Sequence, residues 1–207
     1  MSRALVLGGG GPVGIGWEAG LLAAGAEAAV TEDEFVAGFD FLGGIEWPDA
    51  FRCTAFSLDS GAPAVWDGTS GVDVPRAVAS SCSVPGLSPA VTIAGESYID
   101  GGARDVVNAD LAIGHDRVVA VSCNALDAPA GRVPELFANL IPAVRARIDE
   151  LRASGSAVAV VEPSAEVLDL SGWGASLMDH ARTAAAYDAG LRQGAIEAAR
   201  LGELWSS

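Results

Sequence analysis

Four glycines in succession, Gly8 to Gly11, followed by Pro12, Val13 and Gly14, constrain this chain more than any other feature of its sequence. They lie between Ala4-Leu5-Val6-Leu7, which reads as a short buried strand, and an Ala/Leu-rich stretch from Ile15 to Ala29, which reads as a helix. Without Cβ atoms, successive backbone N–H groups can turn toward one point beside a helix N-terminus that already favours negative charge. Such a loop binds an anion. A tight structural turn would need one or two glycines, not four.

Two anions fit, a dinucleotide pyrophosphate or the oxyanion of an acyl-transfer intermediate. Gly9-x-Gly11-x-x-Gly14 matches the dinucleotide fingerprint, but that fingerprint also wants a second strand ending in an acidic residue about 20 residues further on. Here Glu32, Asp33 and Glu34 precede the next candidate strand, Asp33 to Val36, instead of closing it. The nucleotide reading is the weaker one.

Further along, Phe51 to Leu58 and Pro63 to Trp66 read as a hairpin, Val74 to Cys82 as a short helix, and Val91 to Ile93 with Ser97 to Ile99 as a second hairpin around Ala94-Gly95-Glu96. Arg117 to Ser122 is the best central strand and Ala157 to Val161 another, because short continuous apolar runs suit strands covered on both faces. Between them Leu136, Leu140, Val144, Ile148 and Leu151 recur at helical spacing. From Ala175 to Leu204 the pattern repeats, with Leu177, Ala181, Ala184, Leu191 and Ala195 as the apolar face. Alternating strands and helices predict a single-domain α/β fold, a three-layer sandwich around a largely parallel central sheet spanning residues 1–207.

Charge narrows the partners. The chain has 207 residues, with 27 Asp plus Glu against 12 basic residues, all of them Arg, for a net charge of −15. A phosphate backbone or an anionic lipid surface needs a basic stripe, so nucleic acid is excluded as a partner and any lipid must be gripped through apolar contacts. The arginines are scattered except for Arg145, Arg147 and Arg152. Cys53, Cys82 and Cys123 are odd in number and widely spaced, which points to buried thiols in a reducing compartment and to no metal or other cofactor. No stretch approaches the roughly 18 apolar residues of a membrane span and the N-terminus carries no h-region, so a cytoplasmic location is expected.

The second hairpin delivers the chain to Asp100-Gly101-Gly102. An Asp at a hairpin exit, followed by two glycines, can hold a carboxylate at a sheet rim as a general base; it can equally close an Asx turn.

Gly8 to Gly14 after the first strand, Ala79-Ser80-Ser81-Cys82-Ser83-Val84-Pro85-Gly86, the hairpin, and Asp100-Gly101-Gly102 with Asn108-Ala109-Asp110 together resemble the patatin-like phospholipase family over about the first 125 residues. The resemblance implies hydrolysis of lipid or small carboxylic esters by a Ser–Asp dyad. It assigns Asp100 as general base and the amides of Gly9, Gly10 and Gly11 as the oxyanion hole. Val13 stands where the family usually carries Arg or Lys.

The nucleophile itself is unknown. Gly-x-Ser-x-Gly, the strained elbow that exposes a serine Oγ, occurs nowhere in the sequence. Its expected slot holds Ala37-Gly38-Phe39-Asp40-Phe41-Leu42-Gly43-Gly44. Gly68-Thr69-Ser70-Gly71 reads as a surface turn, Ser80 to Ser83 as caps of backbone groups, and His115 and His180 as surface histidines. Three explanations stand: an elbow and lid segment absent near 36–43 with a seam at Val36-Ala37, a gene that has lost it, or a degenerate homologue. The first is preferred, because removing the elbow helix uncovers apolar sheet area worth about 25 cal/mol per Å² against a total stability of about 5–15 kcal/mol. Without the serine the chain is expected to be inactive. The rival readings are a catalytically silent module that binds a carboxylate or phosphate ligand, and a dinucleotide-dependent reductase.

Overall fold

The computed structural model describes residues 3–7, 30–84, 87–129, 131–177 and 179–206. The expected glycine loop and first helix lie outside the described residues. What is described falls into two compact units, one made by the first strand with the residues from Asp105 onward, the other by the residues up to Arg104.

The first unit is built on a parallel sheet of β1 (Arg3–Leu7), β6 (Arg117–Val121) and β7 (Ala157–Val161), with β6 in the centre. Val118 and Ala120 on β6 are fully buried. Helix α3 (Glu135–Ala153) supplies the crossover between β6 and β7, and its Val144, Ile148 and Leu151 pack into the same core as Val106, Val107 and Leu126. The heptad-like spacing of those residues puts them on one helix face, as the sequence predicts. Helices α4 (Ala165–Leu170) and α5 (Thr183–Ser206) complete this unit.

The C-terminal helix differs from expectation. It begins at Thr183, and Ala181, Ala184, Leu191 and Ala195 are exposed, whereas Ala189 is buried and Gln193 half-buried. Polar anchors set this rotation. The Gln193 side chain accepts from Ser164 N–H at 2.9 Å and donates to the Glu162 carbonyl at 2.6 Å, and Arg192 grips Glu166 at 2.6 Å. Those bonds satisfy the backbone that links β7 to α4, and they outweigh the burial of a single leucine.

The second unit carries an antiparallel sheet in the order β3-β2-β5-β4, where β2 is Cys53–Ser57, β3 Pro63–Trp66, β4 Val91–Ile93 and β5 Glu96–Asp100. The seven described strands therefore divide into a parallel and an antiparallel sheet, and the largely parallel single sheet expected from the sequence is not what the described strands form. Short connections explain it: β4 and β5 are joined only by Ala94 and Gly95, with φ of 52° and 87°, the doubly left-handed turn that hairpins prefer. Chains linked that tightly cannot run parallel.

Helix α2 (Val74–Ser81), capped by Asp73 through Arg76 N–H, lays Ala77 and Ala79 on this sheet. Trp66 is buried, donates to Ser80 Oγ at 2.9 Å and meets Tyr98 edge to face. The stretch expected as a lead-in strand, Asp33 to Val36, belongs instead to helix α1 (Glu32–Ala37). Thr31 and Glu34 close a capping box there, with Glu34 Oε2 accepting from Thr31 N–H at 2.8 Å, and the acidic first turn suits the helix dipole. The backbone crosses Val36-Ala37 as one helix.

Candidate active site

Asp100 is the last residue of β5, paired in register with Ala55 of β2, and its own N–H donates to the Ser83 carbonyl at 2.9 Å. Two strands of chain thus fix its backbone. Its side chain is buried and receives one hydrogen bond, from Gly102 N–H to Oδ1 at 2.7 Å; among the described residues Oδ2 accepts none. Burial pushes the carboxyl above the usual carboxylate range, and the Gly102 bond offsets only part of that. The Asx-turn reading is therefore what the bond to Oδ1 forms, and it leaves Oδ2 without a hydrogen bond among the described residues.

The two glycines do different work. Gly102 supplies the N–H. Gly101 lies so close to β2 that a Cβ on it would stand 2.6 Å from the Thr54 carbonyl oxygen and in contact with Thr54 Oγ1, so no other residue fits beneath the strand.

The segment after α2 lines the same corner without offering a nucleophile. Ser80 Oγ donates to the Ala77 carbonyl while holding Trp66, and Ser83 Oγ donates to the Pro89 carbonyl at 2.6 Å. Both hydroxyls cap backbone, as the sequence predicts. Cys82 is exposed as a residue, yet desolvation of its sulfur and then the nearby Asp100 push the thiol up to about 11, so it is not a thiolate at neutral pH. Burial lifts Cys53 to about 12. All three cysteines are free, but only Cys53 is buried; Cys123 joins Cys82 in being exposed, against the expectation of three buried thiols.

The remaining candidates are structural. Ser70 donates to the Asp67 carbonyl, and Asp67 Oδ1 accepts from Thr69 N–H, so residues 67–70 form the surface turn expected. His180 is exposed, and the His115 ring nitrogen sits 3.1 Å from the Ala112 carbonyl. Gly9, Gly10 and Gly11 lie outside the described residues.

A network that sequence reasoning missed follows the Asp-Gly-Gly segment. Asp105, with no side-chain exposure, pairs with Arg147 of α3 at 2.6 Å. Its Oδ1 accepts from Val107 and Asn108 N–H at 2.7 Å each. Asn108, left-handed at φ 53°, returns its side-chain amide to the Asp105 carbonyl. The signal was present as the arginine cluster, but its partner lies 42 residues away.

A buried, hairpin-held carboxylate, tied at one oxygen among the described residues, is the feature of this corner that chemistry could use. Residues 26–113 match the family model described as Patatin-like phospholipase, and over that stretch the chain is similar to patatin-like phospholipases. The match takes in Asp100 and begins after the glycine loop. No curated protein matches the chain. No helix among the described residues is long and apolar enough to cross a membrane.

Proposed function

We propose that the complete protein is a serine acyl hydrolase of lipid or small carboxylic esters, cytoplasmic, with residues 1–207 forming one patatin-like domain of the three-layer α/β kind. Asp100 takes the proton of an elbow serine through Oδ2, the serine oxygen attacks the ester carbonyl, and the amides of Gly9, Gly10 and Gly11 hold the tetrahedral oxyanion. The observation that carries this reading is the Asp100 carboxylate, buried, lifted in pKa and tied at one oxygen only, inside the patatin-like stretch.

The elbow serine belongs to a segment that joins near 36–43. Supporting this, no residue from 30 to 52 is buried, and Phe41 and Ile45 stand 77% and 50% exposed. Phe41 and Ile45 thus stand uncovered within a few residues of Val36-Ala37, while Phe35, Phe39 and Trp47 pack against the core of the antiparallel unit.

Intact mass and ester turnover test the proposal together. The purified protein should exceed 20.9 kDa and release acid from a short-chain p-nitrophenyl ester, with Asp100→Asn lowering turnover about 10²- to 10⁴-fold. A homogeneous 20.9 kDa protein that gives an acyl-enzyme burst would overturn the assignment of the nucleophile.

Asp100→Asn has a second expected effect, opposite in sign. A carboxyl whose folded pKa is raised favours folding below the ordinary carboxylate range and loses that contribution as pH rises through the folded value. At pH 7 the variant should therefore melt higher than the parent, and the gap should close as pH is lowered toward 4. Equal melting temperatures at every pH would show that the carboxylate is solvated and no poised base.

A further inference from the structure

We infer that the guanidinium of Arg132, laid over the ring of Trp173, anchors an anion site in the parallel-sheet unit that takes a carboxylate or phosphate group. In a chain of net charge −15 every arginine on α3 and α5 has found a carboxylate: Arg145, Arg147 and Arg152 on the one, Arg192 and Arg200 on the other. The guanidinium of Arg132, on the loop between β6 and α3, has neither a carboxylate nor a carbonyl partner among the described residues, its backbone N–H alone donating to the Pro129 carbonyl. Its exposed guanidinium lies instead 4.9 Å from the centroid of the Trp173 ring. A guanidinium held over a ring face in this way can keep edge N–H groups free to grip an oxyanion with two parallel bonds.

Trp173 carries two independent marks of the same site. It is held left-handed at φ 57° between Gly172 and Gly174, a conformation that costs an aromatic residue about 1–2 kcal/mol, and its indole N–H is buried with no acceptor. Strain and an unmatched donor on one residue, under an arginine without an acid, call for a negatively charged acceptor. The placement agrees: Arg132 sits on the loop leaving the carboxyl end of the central parallel strand, where α/β sheets bind ligands.

Calorimetric titration of the purified protein at low ionic strength with inorganic phosphate, glycerol 3-phosphate and hexanoate tests the site. At least one probe should bind saturably. Arg132→Gln should weaken it about tenfold or more, Trp173→Phe about three- to tenfold, and Arg200→Gln, which removes a paired arginine, should leave it unchanged. Phosphate binding identifies a phosphate ligand, and tighter glycerol 3-phosphate assigns it to a headgroup; hexanoate alone assigns an acyl carboxylate. Far-UV dichroism and melting of Arg132→Gln establish that it folds. Saturation by none of the three, or equal affinity in folded Arg132→Gln, overturns the inference.

Discussion

Replacing Arg147 with methionine is expected to cost about 3 kcal/mol and to lower the melting temperature by about 6–12 °C. Asp105 has no exposed side-chain surface, and its Oδ2 meets only Arg147, at 2.6 Å. Methionine fills much of the same space and removes the charge, so the buried carboxyl loses its cation and keeps, among the described residues, only its Oδ1 bonds to Val107 and Asn108. An orphaned buried charge costs far more than a surface pair gains, which separates this arginine from Arg145 and Arg152, whose partners are largely exposed. Adding Asp105→Asn to the methionine variant should restore part of the loss. A drop under about 2 °C for the single variant would mean that Asp105 is reached by water and the network is a surface pair.

Gly101→Ala is expected to cost about 2 kcal/mol, or about 4–8 °C, for a different reason. The added methyl meets the backbone of Thr54 at 2.6 Å to oxygen and 2.7 Å to carbon, and neither atom can swing away as a side-chain tip would. β5 must shift against β2, and Asp100 moves with it, so the ester turnover proposed above should fall alongside stability. Gly190→Ala is the matched control. That glycine lies inside α5 with nothing within 4 Å of an added Cβ, so alanine should stabilise by about 0.5–1 kcal/mol. If both alanines stabilise, close packing is not what keeps Gly101.

Local elements were legible in the sequence where one physical rule dominated. The hairpins showed as turn residues between apolar runs, β6 and β7 as uninterrupted apolar segments, and α3 as a face of Val144, Ile148 and Leu151. Reading failed where two rules competed. Asp33 to Val36 is short and ends in Phe35 and Val36, so it passes for a strand, but the Thr31 and Glu34 capping box decides for helix, and that signal was present in the residues. The face of α5 was misread because Gln193 and Arg192 anchor it by hydrogen bonds, which a periodicity of apolar residues does not register. Asp100 was found from its motif; its dependence on Ser83, Thr54 and Gly102 is a product of strand register and could not be read along the chain.

The single hydrogen bond to Asp100 makes its two oxygens inequivalent. Oδ1 is spoken for by an amide that can only donate, so a proton bound by this carboxyl resides on Oδ2, and the proposed reaction would have one permitted line of approach. Asparagine there keeps its carbonyl toward Gly102 and presents an NH₂ group along that line. The substitution therefore reverses the polarity of the one position where, in the proposed reaction, a hydroxyl would surrender its hydrogen, and it does so without moving the fold.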